Sequence, residues 1–224
     1  MGLKTVVISL GGSIIVPEEI DVPFVAAFKE LLVNVGDTRF IVICGGGRIC
    51  RTYQDAARQV GADSGNDLDW IGIRATRLNA ELVRAGFGDE AYDRVIHDPA
   101  EEMDTEKRII IGAGFQPGSS TDLRAVQLAV RMNAAEVINM SNIDYVYTAD
   151  PKTDPTAEKI EAITWPDFRK LVGDTWDPGM NKPFDPVASR EAEAYGLRVI
   201  IIGNDMENLR NVLMGEAFKG TTIS

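Results

Sequence analysis

Five runs of strand length constrain this chain more than any other feature. Thr5–Leu10, Phe40–Cys44, Arg108–Ile111, Val137–Met140 and Arg198–Ile202 are almost unbroken aliphatic stretches. A strand with one wet face alternates apolar and polar residues; these do not, so each is expected to be covered on both faces, as in a parallel sheet. Helical spacing fills the intervals. Phe24, Phe28, Leu31, Leu32 and Val35 mark a helix over Pro23–Val35, capped by Asp21 and stopped by Gly36. Arg48–Val60 follows directly from a triple glycine, another helix starts near Asp122, and a fourth runs over Pro186–Tyr195 and closes at Gly196. This alternation predicts an α/β chain: a three-layer αβα sandwich around a mainly parallel sheet, in one domain over residues 1–224. Asp150–Thr156 and Thr175–Pro186 read as loops.

Glycine or a small polar residue ends every apolar run. Gly11, Gly12 and Ser13 follow the first; Gly45, Gly46 and Gly47 the second; Gly112, Ala113 and Gly114 the third; Ser141 and Asn142 the fourth; Gly203 and Asn204 the fifth. Ligands of open parallel sheets bind beyond the carboxyl ends of the strands, and glycine there lets backbone N–H groups approach an anion. Three glycine clusters at one sheet edge exceed the needs of a single mononucleotide, which points to two phosphate-bearing ligands or one long polyphosphate track. The GxxxxGK[ST] loop is absent, and neither the 45–47 nor the 112–118 cluster has GxGxxG spacing, so P-loop and dinucleotide chemistries are disfavoured.

Charge and composition exclude further classes. The formal net charge is −11, from 23 basic and 34 acidic residues, which repels nucleic acid and anionic membranes. A phosphate ligand would then depend on local backbone amides, helix N-termini, a few arginines and Mg²⁺. No apolar stretch of ~20 residues is present to span a bilayer. The two cysteines, Cys44 and Cys50, suit a reducing cytoplasm better than a disulfide framework, and the single histidine argues against a transition-metal centre.

Several blocks together resemble the amino acid kinase superfamily and, within it, the archaeal type of uridylate (UMP) kinase. They are Leu10–Ser13, Gly45–Arg51, Asp69–Ala80, Gly114–Asp122, Ser141–Pro151 and Asp185–Ala188, and the resemblance spans nearly the whole chain. It implies ATP as phosphoryl donor, UMP as acceptor, Mg²⁺ as cofactor and a homo-oligomer, a hexamer in the relatives. It also implies roles. Gly46, Gly47 and Arg51 would hold the acceptor phosphate, Asp69 the ribose hydroxyls, and Ser120 and Thr121 would close over the acceptor. Gly11 and Gly12 would face the transferred phosphoryl, with Asp122 and Asp185 organising cations around it. Ser141, Asn142, Tyr147 and Asp150 would form the ATP site. Each residue also has a plainer reading: Arg51 a solvated helix residue, Asp69 a loop or cap residue, Asp185 a helix start before Pro186, Arg74 and Arg77 surface or interface charges, His97 a turn residue.

Two positions depart from the family. Bacterial relatives carry a lysine where this chain has Ser9, which leaves Lys152 or Lys182 as candidates for the catalytic cation. The family glycine after Asp144 is Tyr145, a side chain that a φ > 0 conformation would tolerate only with strain. The rival readings are a kinase of isopentenyl phosphate or an acyl carboxylate, and a non-catalytic nucleotide-binding or storage protein of the same fold. The isopentenyl phosphate kinases place a histidine in the acceptor pocket, whereas His97 is distant in sequence from the glycine loops.

Overall fold

In a computed structural model, which describes residues 3–175 and 182–224, the chain runs β1 (Lys4–Leu10), α1 (Gly12–Ile15), α2 (Val22–Asn34), β2 (Thr38–Cys44), α3 (Gly47–Gln59) and α4 (Gly65–Phe87). It continues through β3 (Ile109–Gly112), α5 (Thr121–Arg131), β4 (Glu136–Met140), β5 (Val146–Tyr147), β6 (Lys159–Ile160), β7 (Ala162–Ile163) and α6 (Trp165–Val172). It ends with α7 (Pro186–Ala194), β8 (Arg198–Ile202), α8 (Met206–Met214) and β9 (Thr221–Ile223). Part of the loop expected over Thr175–Pro186 lies outside the described residues.

All five apolar runs are central strands. The sheet order is β3-β2-β1-β4-β8-β9-β7. Every pair from β3 to β8 is parallel, and β9 is antiparallel to β8. Period-two geometry divides β1 between two cores: Val6, Ile8 and Leu10 face one layer and Val7 the other. Phe24, Phe28 and Leu32 of α2, Ala80, Val83 and Phe87 of α4, and Leu209 of α8 cover the first face. Leu123 and Val126 of α5, Phe168 of α6 and Ala188 of α7 cover the second. Fully buried side chains such as Phe28 and Phe40 each contribute roughly 1.5–3 kcal/mol through burial, which outweighs the weak propensity of short elements. At the amino ends of the strands, buried Glu136 is neutralised by Lys4 at 3.3 Å and by Arg198.

The strand order reverses direction at β1: β2 and β3 lie to one side, β4 and β8 to the other. The crevice between the carboxyl ends of β1 and β4 is therefore the place where this topology leaves room for a ligand.

Candidate active site

Two glycine loops meet at that crevice with no space between them. The Gly45 N–H donates to the Leu10 carbonyl and the Gly11 N–H to that of Met140, both at 2.8 Å, so the ends of β1, β2 and β4 are tied together. A Cβ on Gly12 would stand 2.1 Å from the Gly47 nitrogen and 2.5 Å from the Gly45 carbonyl carbon. Gly47 has φ +63, and a Cβ there would lie 2.2 Å from the Gly12 oxygen. Glycine is needed at both positions for close approach, and at Gly47 for its left-handed backbone as well. The polypeptide leaves this contact directly into α3.

Helix α4 forms the facing wall, and its cavity side is small and polar. Asn79 Nδ2 donates to the carbonyls of Gly45 at 2.8 Å and Gly46 at 3.1 Å, which fixes that loop through its carbonyls and leaves the Gly46 and Gly47 amides for a ligand. Thr76 Oγ1 donates to Ile73 O and accepts from the Gly114 N–H at 2.9 Å. Asp69 Oδ2 accepts from the Gly118 N–H at 2.8 Å, tethering the 114–120 loop across the opening. Gln54 on α3 donates to Leu68 O at 2.9 Å, bringing α3 and α4 together beside Gly72. Between these walls lies a cavity of about 570 Å³, within the range of small-molecule sites. Arg51 lines it one turn into α3, exposed, with no carboxylate paired to it among the described residues.

Asp122 lies at the cavity base, half-buried. Its Oδ1 accepts from Ser9 Oγ at 2.7 Å and Asn139 Nδ2 at 2.9 Å, and its Oδ2 from the Asp185 N–H at 3.2 Å. Desolvation pushes its pKa up to about 6 and the nearby Asp185 carboxylate adds to the rise, while these hydrogen bonds oppose it. Asp185 is itself 6% exposed and caps α7, accepting from the Ala188 N–H at 2.7 Å. Its plainer reading as a helix start is thus satisfied in full, alongside its proximity to Asp122.

The cavity brings together Gly11, Gly12, Gly46, Gly47, Arg51, Asp69, Ser120, Thr121, Asp122 and Asn142. Ser141 adjoins it: its N–H donates to Ile202 O at 3.0 Å, and its Cα would stand 3.4 Å from a Cβ on Gly11. Tyr147 and Asp150 do not line the cavity; Tyr147 pairs with Lys159 in the β5–β6 hairpin, and Asp150 shapes its own turn by accepting from the Lys152 N–H.

Several expectations are corrected. Asp69 belongs to a helix rather than to a loop or cap. Arg77 is no free surface charge, because it donates to the carbonyls of Gly114 at 3.3 Å and Phe115 at 3.1 Å. His97 is close to the third glycine cluster in space, since Ile96 bridges Gly112, yet it does not line the cavity. Lys152 and Lys182 do not line it either. Tyr145 is not among the described non-glycine residues with positive φ, which are Asp37 and Asn133; its ring packs under Lys159 Nζ at 4.9 Å, so the anticipated strain is absent. Asn79, Thr76 and Ser9 are structural determinants of the site to which no role fell from sequence. Small and polar residues at helical spacing, Gly72, Thr76 and Asn79, were the available signal for the first two.

The amino acid kinase family model matches residues 4–203. The uridylate kinase of Methanoculleus marisnigri is 35% identical, with 99% of this chain and 96% of the relative covered. That of Thermococcus kodakarensis is 33% identical, covering 97% and 98%. The solved structure of uridylate kinase from Archaeoglobus fulgidus superposes with a TM-score of 0.85 at 34% identity, over 98% of this chain and 99% of that one. With a matched model over most of its length and full-length relatives above 30% identity, the chain belongs to the amino acid kinase family.

Proposed function

We propose that this protein is an ATP-dependent phosphotransferase that moves the γ-phosphoryl of ATP onto UMP, giving UDP and ADP for pyrimidine nucleotide synthesis. The observation that carries this reading is the cavity's polarity. Glycine amides, an Arg51 with no carboxylate paired to it among the described residues, and a carboxylate, Asp69, line the same cavity. This is the layout a nucleoside monophosphate requires: amides and a guanidinium for its phosphate, a hydrogen-bond acceptor for its ribose hydroxyls. The names of the full-length relatives agree with it.

Phosphoryl transfer through a loose transition state depends on in-line placement and charge cancellation. The acceptor phosphate is ionised at neutral pH, so no residue has to remove a proton from it. Gly46 and Gly47 amides and Arg51 hold that phosphate, Asp69 fixes the ribose, and Ser120 and Thr121 close the opposite side. Gly12 presents its backbone N–H to the transferring phosphoryl, where charge accumulates, while Gly11, whose own N–H is committed to the Met140 carbonyl, keeps that approach clear of a side chain. Ser141, Asn142, Tyr147 and Asp150 belong to the ATP side, so the N-terminal part serves the acceptor and the C-terminal part the donor.

Asp122 and Asp185 fit Mg²⁺, which is commonly held by one or two carboxylates plus substrate phosphates. The fit rests on their contact, the Asp185 N–H donating to Asp122 Oδ2 at 3.2 Å, and on the cavity-facing position of Asp122, behind which Asp185 lies without lining the cavity. When bound, the ion neutralises phosphate charge. A homo-oligomer, a hexamer on the family resemblance, is supported by exposed apolar side chains on α3 and α4, among them Tyr53, Trp70 and Leu78. No described helix is long and apolar enough to cross a membrane, and a cytoplasmic setting suits the two free thiols.

A coupled ADP-release assay across UMP, CMP, isopentenyl phosphate and acyl carboxylates tests the reading. UMP is expected to give the highest kcat/KM. Faster turnover of isopentenyl phosphate or an amino acid would overturn the substrate assignment, and ATP binding without turnover of any acceptor would leave a non-catalytic nucleotide binder.

A further inference from the structure

Arg124 is 5% exposed on α5, a helix whose neighbouring side chains Leu123, Ala125 and Val126 are core. No carboxylate lies within ion-pairing distance of it among the described residues. Its Nε has no hydrogen-bond partner among the described residues, and burial holds its pKa below the usual guanidinium value. A buried, unpaired cation is costly, and an apolar residue would suit this position better if packing were its purpose. What Arg124 does touch is the acceptor loop. Its guanidinium lies 5.1 Å from the Phe115 ring centroid, its Nη1 donates to Gln127 Oε1 at 2.5 Å, and its Nη2 donates to Ser119 Oγ at 2.6 Å. Ser119 lines the cavity; Arg124 does not.

This contact fixes the polarity of a hydroxyl. A serine offers one donor and two lone pairs. With one lone pair committed to a guanidinium and the positive charge behind it, the Ser119 O–H proton is driven away from Arg124, and the oxygen is a poor acceptor for any second donor. The short charge-assisted bond also polarises the hydroxyl and strengthens it as a donor.

We propose that Arg124 is a positioning residue that makes Ser119 a one-way hydrogen-bond donor into the acceptor pocket, directed at an oxygen of the bound monophosphate. That oxygen is either a pyrimidine carbonyl or a sugar or phosphate oxygen. The inference deepens the UMP kinase reading and rests on it.

The test is a double-mutant cycle of Ser119→Ala and Arg124→Leu, read as KM for UMP, KM for ATP and kcat, with UMP affinity measured in parallel by calorimetry. Each single change is expected to raise KM for UMP about tenfold, with a smaller change in kcat and little in KM for ATP. The double variant should be no worse than either single one, because both remove the same bond. Arg124→Lys, which retains a charged donor, should recover part of the loss. If UMP suffers and CMP does not, the oxygen is the C4 carbonyl that CMP lacks; if both suffer equally, it is the C2 carbonyl the two bases share or an oxygen of the sugar or phosphate. Losses that multiply in the double variant, or that fall equally on ATP and UMP, would overturn the relay. Should Arg124→Leu not fold, the cycle is run with Arg124→Gln, which can still donate but carries no charge; an effect as large as that of Ser119→Ala supports the charge's role, and none refutes it. Absence of UMP turnover by the unmodified protein would count against the function instead, and calorimetry would still read the relay.

Discussion

Asp122→Asn is expected to make the protein more stable and less active, with the gain in stability confined to the higher pH range. The Asp122 carboxyl has a folded pKa of about 6 against 3.8 for the free group. An acid whose pKa is raised by folding favours the native state while protonated and works against it once ionised. Its contribution is therefore intact below the unfolded pKa and is lost as pH rises through 6. A shift of about two units makes the penalty roughly 3 kcal/mol by about pH 8, of which about half is already present at pH 5. The amide removes this penalty and also changes the hydrogen bonds. An oxygen can still accept from Ser9 and Asn139, but the new NH₂ meets the Asp185 N–H, donor against donor, at a cost of about 1 kcal/mol at every pH. Urea denaturation of both proteins at about pH 5 and about pH 8 should show the variant near parity at the lower value and ahead by roughly 1–2 kcal/mol at the higher. The lower condition stays above the isoelectric point of 4.6, where association would intrude. Activity should fall at both, because the carboxylate proposed to face the phosphates is gone. Parallel stability profiles for the two proteins across this range would refute a charged, desolvated Asp122.

Arg51→Ala should raise KM for UMP by roughly ten- to a hundredfold, the worth of a bidentate phosphate contact, while ATP affinity measured by calorimetry stays within about twofold; equal losses for both nucleotides would remove Arg51 from the acceptor end. Asp69→Asn should weaken UMP more than a small phosphate that lacks ribose. Its effect exceeds that of a lost substrate contact alone, since the amide also risks the bond from the Gly118 N–H that tethers the loop; unchanged selectivity in the ADP-release assay would deny the ribose role. Tyr145→Gly should bring no gain in ATP affinity, because the residue has no positive φ to relieve; tighter ATP binding by the variant would show that the ring crowds the donor site.

The parallel core was legible because each central strand is buried on both faces, and burial writes itself into sequence as unbroken aliphatic runs. Helix α4 was not, although it is the longest in the described structure. Its inner face carries Asp69, Gly72, Thr76 and Asn79 where periodicity looks for apolar residues, so the demands of the site erased the signal of the helix that holds it. Strand β9 failed for a different reason. Three residues that pair antiparallel with β8 carry too little pattern to stand out, and tertiary contact alone fixes them. Arg51 and Asp69 were nameable only through the family blocks, since each alone suits a solvated surface. Ser9 carried an informative absence, a missing lysine. Its actual work, donating to Asp122 from 113 residues away, depends on β1 and α5 meeting across the sheet, which no local pattern encodes.

On the proposed function, the contact between Gly12 and the Gly45–Gly47 turn would act as a ruler for the reaction. Because only hydrogen atoms separate the two backbones, the spacing between the seats proposed for the acceptor phosphate and the transferred phosphoryl would be set by polypeptide thickness rather than by side chains. Thermal motion can change that spacing only by disturbing the ends of β1 and β2, which are anchored in the core. Any opening and closing around substrates would then fall to parts that do not touch the ruler, such as the β5–β6 hairpin. Exchange of nucleotides and alignment of the phosphates would thereby belong to different parts of the chain, so that one could be loose while the other stays fixed.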